Sequence, residues 1–402
     1  MPTVFVYTLL IVFMLLCFFC VMQVSPYGRN MYDTGNKIMS VAYKVFFALP
    51  LLAIAFTCGV RYDVGFDHLG YLNIYLYGYP WRQHEIIYVV IQNAFSLCKL
   101  PYPLFFGFLA LLESFFFFMA FRKEPKLLMW LALYLFFDGL MGSWNNIIRA
   151  SIAGCIWIYS IDYIVERKPI PYLVYNAIAA GFHSSAVLLF VAYPLFSQGR
   201  DLFKNVKLQY LLLLMAFFIR ITFFRYSAQI SRLTEIFSFI SSRYESYVLT
   251  GLSADNVGHQ NAGSSMAFYM VIIINVIIIA YSKKMHAYYN SKRFNVIYNI
   301  YFIGVITFYM FPVGLYALTR PFRYFYFFRP IMLAYFSLYL FENRKRIREF
   351  WVLVMVLVLF TGIFYGSMLR STSGVLAKYS TYTQHPEVPL RPIYKPHSIF
   401  KN

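Results

Sequence analysis

Four groups of residues in this 402-residue chain carry side chains able to grip an anion or move a proton. The first is Arg61-Tyr62-Asp63-Val64-Gly65-Phe66-Asp67, followed by Tyr71. An arginine beside carboxylates can grasp phosphate while Asp67 orients or deprotonates a hydroxyl. The same residues also read as a solvated helix end, with Arg61 snorkelling and Asp63 or Asp67 pairing it. The second group is Asn145, Asn146 and Arg149, with Ile152-Ala153 after it. An arginine inside an apolar helix needs a partner or an aqueous cavity, which favours function; Asp138 is the obvious partner if its role is structural.

The third is His183, in Gly181-Phe182-His183-Ser184-Ser185. A lone histidine in an apolar run is usually a hydrogen-bonded core residue. A helix break lining a cavity is nevertheless where membrane proteins place substrate sites, because freed backbone groups must face something polar. The fourth threads Arg320, Arg323 and Arg329 through aromatics as far as Pro330. An aromatic belt with interfacial arginines is the plain explanation. Fixed guanidinium groups also match the oxygens of a diphosphate bidentately. Arg61, Asp63, Tyr71, Asn145, Arg243, Tyr244 and Arg329 are therefore candidate substrate contacts, and Asp67, His183, Arg149, Arg320 and Arg323 candidate catalytic groups.

The elements that must position these residues follow from composition. With 60% of residues hydrophobic and 13% charged, the chain lacks the balance of a water-soluble globular protein. Apolar runs able to cross a core of about 30 Å recur, without the turn-rich alternation of a β-barrel, so the spanning elements are helices. The expected spans are 3–24, 39–60, 101–121, 127–143, 146–165, 208–224, 264–282, 296–318, 325–341 and 350–369. Residues 85–98 are short for a span, and 171–196 long for one. The fold expected is an all-α integral membrane protein, a single polytopic domain over residues 1–402 with about 10–14 transmembrane helices, some of them broken. The N-terminus has no small-residue cleavage site and reads as a first span.

Charge assigns sides. The formal charge is +19, yet no soluble basic domain exists to bind nucleic acid. The basic clusters at 29–44, 122–126, 167–168, 200–207, 283–293 and 344–348 share the cytoplasmic face if 85–98 does not cross and 171–196 crosses and returns, breaking near His183. The opposite, outer face then collects 61–84, 138–145, His183, 225–263, 319–330 and the tail 370–402, with both termini outside. Within it, Ile230, Leu233, Ile236, Phe237 and Ile240 at helical spacing predict an amphipathic interfacial helix over 227–248. The proline-bearing tail is expected as an irregular cap. The five cysteines all lie in apolar segments away from any metal-ligand spacing, so no metal is expected. P-loop, dinucleotide, HExxH and GxSxG motifs are missing, which removes the usual support for nucleotide-driven transport and zinc hydrolysis; no cofactor is expected.

In this order and on one face, the four groups resemble the EpsG/Wzy-type polysaccharide polymerases of bacterial membranes. The resemblance rests on Arg61 with Gly65-Phe66-Asp67 and Tyr71, Arg149 with Ile152-Ala153, His183 before small residues, and the arginine-aromatic run ending at Pro330. Phe66 stands where the family often has a small polar residue, and Ala150 where it has glutamine; Pro392-Ile393-Tyr394 loosely echoes its Pro-Tyr element. What the resemblance implies is a GT-C-like glycosyltransferase of the inner membrane with its active face outward. It would join oligosaccharide repeat units carried on undecaprenyl diphosphate, both donor and acceptor being lipid-linked, alongside a chain-length regulator protein. Two other classes stay open. A membrane O-acyltransferase would explain His183 and leave the arginines idle. A flippase of anionic lipid-linked glycans would use cationic cavities and broken helices, but pseudo-symmetric halves are not visible.

Overall fold

The computed structural model describes residues 3–25, 37–78, 85–225, 266–310, 322–370 and 379–394. The chain divides into two compact units, residues 1–194 with 360–402, and residues 195–359. Almost all of the described chain is helical, as the long apolar runs require once no water is present to satisfy backbone groups. Leu9, Leu16, Leu52, Phe56 and Leu104 are each more than half exposed, a surface suited to lipid.

In the first unit, α1 (Thr3–Val24) packs on α2 (Lys37–Gly59) and on α6 (Pro125–Phe137). Helix α5 (Tyr102–Met119) lies against α2 and α8 (Ile148–Val165). Between α2 and α5 the chain forms β1 (Arg61–Tyr62), α3 (His68–Tyr77) and α4 (Ile86–Leu97). The expected span 127–143 is broken: Gly139 adopts φ +80, and α7 (Leu140–Asn146) leaves at 62° to α6. A second interruption at Ile147 separates α7 from α8. Between these breaks, backbone and amide groups of α7 can bond outside their own helix.

The stretch 171–196 breaks at His183, where the chain turns extended. The pieces are α9 (Pro169–Phe182, 14 residues), a 3-10 helix (Ser184–Val191, 8 residues) and α10 (Ala192–Phe196). At 1.5 Å per residue α9 reaches only about 21 Å, so it does not traverse a core of about 30 Å as an ordinary span does. Gly181 lets α9 close onto α4, since a Cβ there would lie 2.5 Å from the Ile87 side chain.

Residues 379–394 of the tail form an ordered strap. Strand β2 (Ser380–Thr381) pairs antiparallel with β1, Arg61 opposite Thr381. The Tyr382 N–H donates to the Val60 carbonyl at 3.0 Å, the Tyr102 N–H to Leu390 at 2.8 Å, and the Ile393 N–H to Leu76 at 3.0 Å. The Tyr379 N–H reaches Thr3 Oγ1 at 2.8 Å.

The second unit contains α11 (Val206–Arg225), α12 (Met266–Tyr289), α13 (Lys292–Met310), α14 (Arg323–Tyr326), α15 (Phe328–Glu342) and the start of α16 (Ile347–Arg370). Buried amides here are matched by tyrosine hydroxyls: Tyr298 donates to Gln209 at 2.6 Å, and Tyr301 to Asn275 at 2.8 Å.

Among the described residues six helices are long and apolar enough to cross a membrane, and seven if the bent α6–α7 pair counts as one. That makes the protein a polytopic all-α membrane protein. Helices α11 and α13 coincide with further expected spans; they carry Lys207, Arg220, Lys292 and Arg293. The amphipathic stretch 227–248 lies outside the described residues.

Candidate active site

Arg149 stands in the first turn of α8, and its partner is Glu85, not the expected Asp138. Its Nη1–H donates to Glu85 Oε2, and its Nε–H to the Tyr71 hydroxyl at 3.3 Å. The guanidinium lies over the rings of Tyr71 and Tyr88, 5.5 and 5.6 Å from their centroids, which adds cation–π attraction in a desolvated setting. Glu85 immediately precedes α4, and its second oxygen is 2.8 Å from Nδ1 of His183. One carboxylate thus joins a guanidinium from α8 to an imidazole from the break after α9. The side chains of Arg149 and Glu85 are 12% and 9% exposed, whereas His183 at 24% is the member open to approach.

Burial pushes the Glu85 carboxyl upward. The His183 hydrogen bond, the Arg149 charge and the Ser184 N–H together outweigh it, so Glu85 is held below the usual carboxylate range. The acceptor is therefore ionised, and the ring nitrogen facing it is Nδ1–H. In the neutral imidazole that leaves the lone pair on Nε2.

A second cluster adjoins this one through α3. Arg61, expected at a solvated end, is 2% exposed. It donates to the carbonyls of Cys58 at 3.1 Å and Asn145 at 3.3 Å. Asp63 and Asp67, expected to pair it, are both exposed while Arg61 is buried. Asn145 is buried, donates to the Tyr7 hydroxyl at 3.2 Å and accepts from the Cys58 thiol at 3.6 Å. The Arg61 bond to the Asn145 carbonyl ties the chain to α7 just before the turn Asp63 to His68. Gly65 has φ +101, and a Cβ there would meet the Asn145 carbonyl at 2.6 Å, so only glycine fits. The Asp67 N–H donates to Asn146 Oδ1 at 2.9 Å, and the Asp63 N–H to His68 Nδ1 at 3.2 Å. Burial, reinforced by Arg61, drives the His68 pKa well down and keeps its ring neutral.

In the second unit, Arg323 opens α14 and Arg329 lies in the first turn of α15. Arg329 sits 5.7 Å from the Phe308 ring centroid and lines a small cavity with Asn275, Tyr301, Tyr309 and Tyr326. Arg320, Arg243 and Tyr244 lie outside the described residues. Of the residues singled out by type, then, the structure gathers Arg149, Tyr71 and His183 around Glu85, places Arg61 and Asn145 beneath the turn bearing Asp63 and Asp67, and holds Arg323 and Arg329 in the other unit. Glu85 and His68 escaped the sequence reading. A carboxylate just before an apolar helix, in a chain rich in intramembrane arginine, is the signal that could have found Glu85. Among the described residues no three His, Cys, Asp or Glu side chains are grouped to hold a metal ion.

These features define a polytopic membrane protein in which a buried carboxylate joins a half-buried cation to a partly open imidazole. The model of the EpsG family matches residues 44–383, and the chain belongs to that family, a bacterial family of membrane proteins of the polysaccharide-polymerase type. No curated protein and no solved structure matches the chain.

Proposed function

We propose that this chain is a glycosyltransferase that polymerises surface polysaccharide at the outer face of the bacterial cytoplasmic membrane. It transfers the growing glycan from undecaprenyl diphosphate to a hydroxyl of an incoming lipid-linked repeat unit. The observation that carries the reading is Glu85 bridging Arg149 and His183.

Transfer forms a bond between the acceptor oxygen and the anomeric carbon and breaks that carbon's bond to phosphate. The electron pair leaves with the diphosphate, and the hydroxyl proton must go to a base. His183, with Nδ1–H fixed on Glu85, offers Nε2 as that base. Arg149 brings a positive charge already in place as negative charge develops on the leaving diphosphate. Glu85 fixes the orientation of both groups. Asp67 is the alternative base, and Tyr71 holds Arg149 from its other side. The roles expected of Arg320, Arg323 and Arg329 toward diphosphate, and of Arg243 and Tyr244 toward substrate, rest on their chemistry and on the family resemblance alone. Arg61 and Asn145 act through the turn they anchor. The chemistry as drawn uses no cofactor.

Deleting the gene in its native host and resolving the surface polysaccharide on a gel tests the reading. Single repeat units in place of long chains are expected. Complete loss of external glycan would point to a flippase instead. Complementation with Arg149→Ala or His183→Ala should leave single repeats; restored long chains would remove this centre from the mechanism.

A further inference from the structure

The turn from Asp63 to His68 leaves Phe66 uncovered. Its ring is 70% exposed, although the turn's backbone is pinned to α7 by the Gly65 approach and by the Asp67 bond to Asn146. The His68 N–H also closes the turn on the Gly65 carbonyl at 3.2 Å. The pinned backbone sets where Phe66 leaves the chain, and its side chain stays uncovered. Asp63 and Asp67, both exposed, stand on either side of it in sequence. The turn leads directly into α3, whose Tyr71 hydroxyl takes the Arg149 Nε–H.

We infer that Phe66 is a glycan-binding and specificity-determining residue, its ring stacking on the apolar face of a sugar while Asp63 and Asp67 accept that sugar's hydroxyls. Sugar rings pair C–H faces with a rim of hydroxyl donors, and an exposed aromatic flanked in sequence by two exposed carboxylates offers a partner for each. A backbone already fixed by its bonds to α7 also loses little freedom on binding. Lipid contact alone would explain the aromatic, but not the two flanking carboxylates. The assignment rests on the glycosyltransferase reading and extends it from the reacting centre to the polymer that the centre handles.

The test uses the full-length chain in nanodiscs and, as probe, oligosaccharides released by partial acid hydrolysis of the host's own surface polysaccharide. Wild type and Phe66→Tyr should bind alike, and Phe66→Leu about tenfold more weakly, the magnitude expected for one lost aromatic stacking contact. Asp63→Asn should weaken binding several-fold. Equal binding by Phe66→Leu overturns the inference, because leucine preserves hydrophobic contact with lipid but no aromatic face. Polymer length, followed in parallel, separates the two claims. Long chains lost in Arg149→Ala, with probe binding unchanged in Phe66→Leu, sink the inference alone. Long chains retained in Arg149→Ala, with binding lost in Phe66→Leu, sink the reaction centre and leave the glycan site standing.

Discussion

At the scale of single residues, the bridge through Glu85 makes stability and function separable. Arg149→Ala leaves a buried carboxylate without its ion pair, a loss of about 3–5 kcal/mol. The double variant Glu85→Leu with Arg149→Met removes both charges and should recover most of the thermal midpoint measured in detergent, without recovering long polysaccharide chains. Recovery of both would make the pair structural. Acid offers a second handle. Because the folded state holds Glu85 below its unfolded pKa, its contribution is complete above about pH 4–5, the ordinary carboxylate range, and fades as pH falls through the depressed value. Wild type should therefore lose thermal midpoint on acidification more steeply than Glu85→Gln. Arg149 and His183 were legible because a charged or titratable group stands out in an apolar run. Glu85 was not, since its two partners lie 64 and 98 residues away and nothing local announces them.

At the scale of elements, the breaks do the positioning, and composition announced them unevenly. The interruption at His183 was legible from an apolar run too long for one span. The bend after Asp138 was not, because 127–143 is continuous in hydropathy and only the φ of Gly139 ends α6. Two glycine substitutions separate conformational strain from collision. Gly139→Ala meets nothing within 4 Å and incurs only its left-handed φ, about 1 kcal/mol. Gly65→Ala adds a collision with the Asn145 carbonyl to the same handicap. Its thermal midpoint should fall further than that of Gly139→Ala, and probe binding through Phe66 should fall with it. Equal effects on both measurements would mean that the turn does not need its contact with α7.

At the scale of the whole molecule, the membrane class was fixed by hydropathy, whereas the pairing of tail with β1 was invisible. Strands of two residues carry no periodic signal, and Arg61 meets Thr381 across more than three hundred residues of chain. Removing residues 379–394 should leave the helices inserted but lower the thermal midpoint and open the 61–78 stretch to protease; unchanged cleavage would show that the strap is dispensable. The strap also has a consequence for biogenesis. Tyr379 leaves the ribosome 376 residues after Thr3, so the hydrogen bond between them forms only once everything between has been made. Helices can enter the membrane one after another in the meantime, while the edge strand Arg61–Tyr62 waits without its mate. Closure of that rim thus requires both units of the chain to have been synthesised. A product that stops before Ser380 leaves Arg61–Tyr62 an unpaired strand beside an open turn.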